Sequence, residues 1–318
     1  MNKRSRRAKK KTMTVATIAA LALSIQFVSV AAASSTSTQL ASVTTIAASS
    51  SATAAKVVSQ FEAYVKKQGE LPQAIAYLKV NINEVTKSEA TIMVLHLENA
   101  IKKQMTAIEK RFEKSSVQLA ISKVYSRGDT FDNIITRTKD TSLKVLLREA
   151  RDSGYKLETA EGFYFPVVDY SRFKPYVGKI NADIEAYIDI MAVESDQVKV
   201  KDAGIMISYQ QLVGRALNQE SFIVQYPYSN RAAHIRNLFS SYETLTYYGT
   251  NNTPLFDYSN KVIQPNALRG YMGMLQRNDV ELSPYLTKLQ AFMNLLEDNE
   301  YKLTVEGEKF RKDNVPIQ

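Results

Sequence analysis

Apolar residues recur at helical spacing along most of the chain that follows Lys56. Positions three and four apart share one face of an α-helix, so each stripe predicts a helix with a buried side. The clearest stripes are Val94, Leu97, Ile101, Met105, Ile108 and Phe112; Val177, Ile180, Ile184, Tyr187, Ile188 and Met191; Ile205, Tyr209, Leu212, Val213 and Ala216; Ala232, Ile235, Leu238, Phe239, Tyr242 and Leu245; and Leu286, Leu289, Met293 and Leu296. Heptads are not sustained, which favours a globular bundle over a coiled coil. The sequence therefore predicts a mainly α fold, a multi-helix bundle.

Residues typical of helix ends stand where the stripes begin and stop. Thr86 followed by Glu89 fits a capping box, in which both side chains bond free amides at a helix start. Ser283 and Pro284 are suited to cap and open the last strong helix. Gly154 and Gly249 are placed to end two others.

The helical period is interrupted between residues 155 and 171. Two runs rich in aromatic and β-branched residues, 155–158 and 163–168, flank the pair Glu161-Gly162. Such a pair between two strand-like runs predicts a short β-hairpin or an extended loop. We expect a hairpin-like insertion near 155–171 that separates the two halves of the bundle.

Composition and charge both change near Gly154. Fifteen of the 18 tyrosines and seven of the eight prolines lie from Tyr155 onward. Residues 56–154 hold 17 basic and 12 acidic residues, whereas residues 155–318 hold 17 basic and 20 acidic ones. We interpret 56–154 as an N-terminal helical subdomain and 155–318 as a Tyr-rich helical domain of opposite net charge.

The N-terminus has the layout of a secretory signal. Seven basic residues lie within positions 3–11, an uncharged apolar run follows from Met13 to Ala33, and small alanines close it. This layout predicts a Sec-type signal peptide over residues 1–33, with a long basic start typical of Gram-positive bacteria. The alternative is an uncleaved membrane anchor, since the run approaches the ~20 residues that span a bilayer.

The basic charge of the whole chain belongs largely to this segment. The net charge is +9, from 41 basic and 32 acidic residues. Without the seven basic residues of the signal, 34 remain against 32 acidic ones, a net of +2. A nucleic-acid-binding protein needs a concentrated basic face, so nucleic acid is not an expected partner. Residues 34–55 are almost all Ser, Thr and Ala, which predicts a flexible leader.

The chain has no cysteine and two histidines. Disulfides, thiol catalysis and Cys-ligated zinc are therefore excluded. The acidic residues Glu194, Asp196 and Asp202 match no calcium-loop spacing, and no nucleotide-binding or nucleophile-elbow motif occurs. We expect no metal and no cofactor.

The Tyr-rich half contains the candidate binding residues. His234 follows two phenols and lies between two guanidinium groups at a helix start, and a Pro-x-x-Asp-Tyr-Ser segment occurs at both 166–171 and 254–259. Tyrosine gives a large contact area with few rotatable bonds, which suits a binding surface. The candidates are Tyr164, Asp169, Tyr170, Tyr226, Tyr228, Arg231, His234 and Arg236. The competing interpretation is that most tyrosines line seams between helices and that both Asp-Tyr-Ser segments are simple turns.

These observations support a function outside the cytoplasmic membrane. The first hypothesis is an exported, non-catalytic protein of the cell envelope or extracellular space that binds a peptide, glycan or other envelope component. The second is an envelope hydrolase using carboxylates of the C-terminal half, with Glu161, Asp169, Glu194 and Glu220 as candidates. The third is a structural protein that dimerises through the amphipathic 88–113 helix.

Overall fold

The structure is a computed structural model that describes residues 36–317, with side chains described from Ser51 onward. The segment predicted as a signal peptide or anchor, residues 1–33, lies outside the described residues. Among the described residues, contacts place 36–47 and those from Ala48 onward in two separate units. Both predicted halves of the bundle lie within the second unit.

Helices dominate the described residues, which confirms the mainly α prediction. They are α1 Thr36–Lys66, α2 Leu71–Asn81, α3 Lys87–Phe112, α4 Ser115–Ser122, α5 Phe131–Arg137, α6 Thr141–Asp152, α7 Ala182–Asp196, α8 Tyr209–Gln225, α9 Ala232–Tyr248, α10 Pro265–Arg277, α11 Pro284–Glu297 and α12 Val305–Asn314. Shorter 3-10 segments lie at Ile82–Glu84, Tyr170–Tyr176 and Val280–Leu282. Helices α5, α10 and α12 were not predicted from the sequence.

The helix ends follow the predicted capping chemistry. The Thr86 side chain accepts the Glu89 backbone N–H while Glu89 accepts the Thr86 N–H, so the capping box of α3 is present. The Ser283 hydroxyl accepts the Leu286 N–H at the start of α11. Gly249 ends α9 with a φ of 72°.

The predicted hairpin is confirmed as strands β1 Tyr155–Ala160 and β2 Phe163–Val168, paired antiparallel. Its two-residue turn, Glu161-Gly162, has positive φ at both positions. That geometry matches the right-handed twist of the flanking strands, and glycine at the second position adopts it without strain. Two smaller antiparallel pairs join β3 Val200–Lys201 to β4 Gly204–Ile205 and β5 Gly249–Thr250 to β6 Thr253–Pro254.

Helix α1 begins earlier than the sequence indicated. It takes in residues 36–55, most of the Ser/Thr/Ala-rich segment that was expected to be a flexible leader. Alanine has the highest helix propensity of any residue, and Ala54 and Val57 are buried in the core. The helix propensity of the alanines and the burial of Ala54 and Val57 therefore both favour a helix in this segment.

The buried apolar side chains form two clusters, which divide between Ala192 and Ile207 except that Phe222, Ala232 and Ile235 belong to the first. The first cluster takes in residues of α1 to α7 and the hairpin, and the second gathers residues from Ile207 to Val315. The first cluster therefore draws on both of the halves that composition suggested. Packing of α7 and the 3-10 segment Tyr170–Tyr176 against α3 is the reason, and sequence composition does not encode such contacts.

Helices α8 and α9 belong to both clusters. Leu212 and Ala216, near the start of α8, lie in the second cluster, whereas Phe222 near its end lies in the first. Helix α9 runs in the reverse order, with Ile235 in the first cluster and Tyr242 in the second. This helix pair connects the two cores.

The apolar stripe of α3 is covered by the chain itself. Met93, Leu97, Ile101 and Phe112 are all buried in the first core. These stripe residues therefore pack inside the chain and not at its surface. Among residues 36–317, no helix is both long and apolar enough to cross a membrane.

Candidate functional site

Helices α7 and α8 present facing stripes that line a cleft of about 450 Å³. The α7 residues are spaced three and four apart, as one face of a helix requires, and so are most of those from α8. The lining residues are Ala186, Asp189, Ile190, Val193 and Glu194 from α7; Arg215, Asn218, Gln219, Ser221, Phe222 and Gln225 from α8; and Lys174 and Tyr226 nearby. A cleft of this volume is in the range of small-molecule and short-segment binding sites.

The cleft combines apolar and charged surfaces. Ile190 and Val193 supply aliphatic side chains on the α7 side, and the rings of Phe222 and Tyr226 pack with their centroids 5.4 Å apart. The Lys174 ammonium pairs with Asp189 at 2.5 Å, and both side chains are about half exposed. The apolar surface can take up hydrophobic groups of a ligand while the polar groups orient it.

A buried ion pair lies among the lining residues. Tyr242 donates its hydroxyl hydrogen to Glu194 Oε1 at 2.5 Å, and Arg215 Nη1 lies 3.6 Å from the same oxygen. Arg215 Nη1 also donates to the Gln197 carbonyl at 2.8 Å. Because these charges are mutually paired, the ion pair gives the cleft no net charge.

Lys199 contacts Tyr242, the tyrosine that bonds Glu194. Its ammonium lies 4.7 Å from the centroid of the Tyr242 ring, a cation–π contact. Burial lowers the pKa of Lys199, partly offset by the nearby Glu194 carboxylate and reinforced by the Arg215 charge. The same burial, together with Glu194, raises the pKa of the Tyr242 phenol, which therefore stays a hydrogen-bond donor.

Gln219 is an unusual lining residue. Its side chain is fully buried, at 0 % exposure, and neither the amide nitrogen nor the amide oxygen has a hydrogen-bond partner among the described residues. A buried amide normally bonds at least one partner, because each unpaired polar atom costs about 1–3 kcal/mol. Because both amide atoms are closed off from solvent, they face the protein interior and a ligand in the cleft cannot reach them.

A second polar cluster surrounds Glu98 on α3, which is 2 % exposed. Tyr170 and Tyr187 each donate a hydroxyl hydrogen to Oε1 at 2.6 Å. The Lys102 ammonium lies 2.6 Å from the same oxygen, and Arg231 donates to Oε2 through Nε at 3.0 Å and Nη2 at 2.6 Å. A carboxylate has about four lone-pair sites, so these five donors saturate it.

The surroundings of Glu98 fix its charge state. Burial by itself raises the pKa of the Glu98 carboxyl, but the Lys102 charge and the hydrogen bonds from Lys102, Tyr170 and Tyr187 outweigh it and lower the pKa to about 2. Burial and the adjacent carboxylate raise the pKa of both phenols. The cluster is thus a fixed anion between two cations, and it joins α3 to α7, to α9 and to the 3-10 segment between β2 and α7.

No protein-family model, curated protein or solved structure matches the chain. Function must therefore be inferred from the geometry of its own residues.

The structure brings together three of the residues that the sequence singled out. Tyr170 and Arg231 both bond Glu98, and the His234 ring packs edge-on against Tyr187 with centroids 5.8 Å apart. Burial lowers the pKa of His234, and the Lys102 charge adds to that effect. Tyr170 and Arg231 hold the buried Glu98 carboxylate in place, and the exposed His234 contacts the edge of the cluster through the Tyr187 ring.

The other candidate binding residues lie at separate places in the structure. Tyr226 lines the cleft, whereas Tyr164 packs against Tyr125 at 4.8 Å on the hairpin. Asp169 accepts the backbone N–H and hydroxyl of Ser171, forming a turn. Tyr228 is 98 % exposed and Arg236 is exposed on α9.

The repeated Asp-Tyr-Ser segments have the same local chemistry. Asp257 accepts the backbone N–H and hydroxyl of Ser259, as Asp169 does from Ser171. Both are Asp-stabilised turns. This agrees with the interpretation of the two Asp-Tyr-Ser segments as turns.

The four acidic candidates for hydrolysis lie on different elements. Glu161 is in the exposed hairpin turn and Asp169 stabilises its turn. Glu194 is bonded within the buried ion pair, and Glu220 accepts the Ser283 hydroxyl and the Tyr285 N–H at the start of α11. Of these, only Glu194 lines the cleft. Within the described part of the chain, no group of three or more histidines and acidic residues is arranged to hold a metal ion.

A partial signal for the cleft is present in the sequence of α7. Besides its core stripe, α7 carries Ala186, Ile190 and Val193 on a second face. A helix that is apolar on two faces is either buried on both or binds something with one of them. Glu98 and Gln219 gave no signal, since Glu and Gln are ordinary residues on helices.

The low pKa of Glu98 makes stability depend on pH. Its folded pKa of about 2 lies below the ordinary value of 4.5, so the stabilisation is fully present above about pH 5 and is lost as pH falls toward 2. We expect Glu98 to account for a loss on the order of 3 kcal/mol across that window. Urea unfolding at several pH values should show a shallower acid dependence for Glu98→Gln than for wild type. Equal slopes for the two proteins would contradict the assignment.

Proposed function

We propose that the protein is an exported, non-catalytic binding protein that holds a short segment of a peptide or glycan in the cleft between α7 and α8. The observation that carries this proposal is the cleft wall itself. It places aliphatic and aromatic side chains beside charged groups that are paired with one another. Export is supported by the basic start and apolar run of residues 1–33.

Binding is favoured over hydrolysis by the state of the charged groups. A general acid and a nucleophile or base must face the scissile bond with lone pairs or protons free to react. Glu194 accepts the Tyr242 hydroxyl and lies beside the Arg215 guanidinium, while Asp189 is paired with Lys174. Glu98 is saturated by five donors. These carboxylates are arranged to fix structure and to orient a ligand.

Filling the cleft tests the proposal. Ser221 is exposed on the α8 side of the cleft, so a Ser221→Trp variant should occupy the space that a ligand needs. Val224 lies on the same helix, is highly exposed and does not line the cleft, so Val224→Trp is a matched control. We expect ligand-observed NMR against short blocked peptides and short oligosaccharides to detect binding to wild type and Val224→Trp. Affinity should fall about tenfold or more in Ser221→Trp.

Two results would overturn the proposal. One is the absence of binding from both panels with wild-type protein. The other is equal binding by the two tryptophan variants, which would place any ligand outside the cleft. Circular dichroism and thermal melts of each variant establish that the fold is intact before affinities are compared.

A further inference from the structure

The second Asp-Tyr-Ser segment adjoins a cavity of about 350 Å³ that the proposed function does not use. Its walls come from the end of α9, the β5–β6 turn, the loop 254–261 and helix α12. Among the described residues, none lines both this cavity and the cleft between α7 and α8. The volume is at the lower end of the range for small-molecule sites, which suits one compact ligand better than a long chain.

Tyr258 supplies an accessible aromatic ring at this cavity. It lines the cavity and is 67 % exposed. Tyr170, at the same position of the first Asp-Tyr-Ser segment, is 4 % exposed and bonds Glu98. The Tyr258 hydroxyl donates to the Asn251 carbonyl at 3.1 Å, which ties its loop to the β5–β6 turn. The Tyr258 ring is therefore positioned by a hydrogen bond and, unlike Tyr170, is not part of the core.

A guanidinium group fixes the wall of the cavity. Arg311 Cζ lies 4.6 Å from the centroid of the Tyr248 ring and 5.4 Å from that of Phe256. Its Nη1 donates to the Tyr247 carbonyl at 3.1 Å, and its Nη2 lies 2.6 Å from Glu308 Oε1. These contacts hold α12 against the end of α9, so the cavity is formed before a ligand arrives.

Several polar groups of the lining have bonding capacity left. Asp257 Oδ1 accepts the backbone N–H groups of Ser259 and Asn260. Among the described residues, no hydrogen bond or ion pair involves Asp257 Oδ2, Glu308 Oε2 or the Lys261 ammonium. Lys261 is exposed and the Glu308 side chain is 42 % exposed, so a ligand can reach both.

We infer that this cavity binds a neutral sugar unit, whose apolar face stacks on the Tyr258 ring and whose hydroxyls bond the polar groups around it. A pyranose ring is apolar across its C–H face, which matches the flat, large contact area of an aromatic side chain. Each sugar hydroxyl donates one hydrogen and has two lone pairs, so it can bond a carboxylate or an ammonium group.

The charges of the lining favour a neutral, polar ligand. Asp257 and Glu308 are balanced by Lys261 and Arg311. The Ser259 hydroxyl and the backbone amides of Ser259 and Asn260 lower the pKa of Asp257, so this carboxyl stays ionised. An ion therefore meets as much repulsion as attraction. A wholly apolar ligand would remove water from these charged groups without replacing its hydrogen bonds.

The test compares variants of two exposed tyrosines. Tyr258→Ala removes the ring, and Tyr258→Phe keeps the ring and removes only the hydroxyl. The matched control is Tyr228→Ala, since Tyr228 is 98 % exposed and does not line the cavity. The probes are methyl glycosides of glucose, galactose, mannose and N-acetylglucosamine, with adenosine and a blocked leucine tripeptide as ligands of other classes. Titrations followed by ligand-observed NMR give the dissociation constants.

We expect wild type to bind at least one glycoside with a dissociation constant on the order of 1 mM. Tyr258→Ala should weaken that binding about tenfold, because the stacking surface is lost. Tyr258→Phe and Tyr228→Ala should stay within about threefold of wild type, since the Tyr258 ring is present in both. Thermal melts should show that all three variants are folded, because both side chains are mostly exposed.

Absence of glycoside binding by wild type, or equal binding by Tyr258→Ala, overturns the inference. Binding of adenosine or the tripeptide in place of the glycosides, abolished by Tyr258→Ala, overturns the sugar assignment. Ser221→Trp distinguishes this cavity from the cleft and should leave glycoside binding unchanged. If Ser221→Trp abolishes glycoside binding and Tyr258→Ala does not, the sugar binds in the cleft. That result supports the proposed function and overturns this inference alone.

Discussion

Replacing Glu98 by alanine is expected to lower the free energy of unfolding by roughly 3–5 kcal/mol. The substitution removes the shared acceptor of Tyr170, Tyr187, Lys102 and Arg231. Arg231 then keeps a largely buried guanidinium without its counter-ion, and two buried phenols lose their acceptor. Urea unfolding at neutral pH, followed by circular dichroism, measures the loss.

An exposed ion pair supplies the matched control for Glu98. Lys309 and Asp313 pair at 2.5 Å on α12, and both side chains are more than half exposed. Truncation of Asp313 to alanine should cost less than about 1 kcal/mol, because water solvates the remaining ammonium. A loss in Glu98→Ala as small as that in Asp313→Ala would mean that apolar packing alone holds α3 against α7 and α9.

Replacing Gly249 by alanine is expected to cost roughly 3 kcal/mol or more. Gly249 follows α9 with φ 72° and ψ −146°, a conformation that is essentially restricted to glycine. A Cβ there would lie 2.4 Å from the Thr253 carbonyl oxygen and 2.6 Å from the Leu255 nitrogen. Backbone strain and overpacking of this kind each cost about 1–3 kcal/mol. Thermal unfolding measures the combined effect as a lowered Tm.

The variant Gly128→Ala distinguishes the cost of backbone strain from the cost of overpacking. Gly128 also has a positive φ, of 87°, but a Cβ at that position meets nothing within 4 Å. Gly128→Ala should therefore show the backbone cost alone, about 1–2 kcal/mol. Equal losses in the two variants would indicate that the β5–β6 turn relaxes around the added methyl group.

The parts of the fold that local sequence encodes were predictable. The stripes of α3, α7, α8, α9 and α11 give helices because period and burial agree at each position. The Glu161-Gly162 turn gives the hairpin because its two residues tolerate positive φ. The caps at Thr86 and Ser283 depend only on neighbours three residues away.

The parts that depend on distant residues were not predictable. The division of the core between Ala192 and Ile207 arises from the packing of α7 on α3, which the change in composition at Gly154 does not reflect. Glu98 is joined to Tyr170 and Arg231 across 72 and 133 positions of the chain. Nothing in the residues that flank Glu98 indicates such partners.

The candidate site was predictable only in outline. The Tyr-rich half does contain the cleft, but most tyrosines of that half, such as Tyr187, Tyr242 and Tyr271, are buried in the core. The decisive feature is a balanced set of charges beside an apolar wall. It is a property of the assembled structure, since it depends on which groups face one another after the helices have packed.

The sharing of α8 and α9 between the two cores has a consequence for cooperativity. Each helix is anchored at one end by the first core and at the other end by the second. If either core unfolds, one end of each helix loses its packing partners. The apolar side chains at that end are then exposed to water while the other end remains packed in the folded core. The two cores are therefore thermodynamically coupled, and the cleft, whose α8 side extends from Arg215 to Gln225, exists only while both are folded.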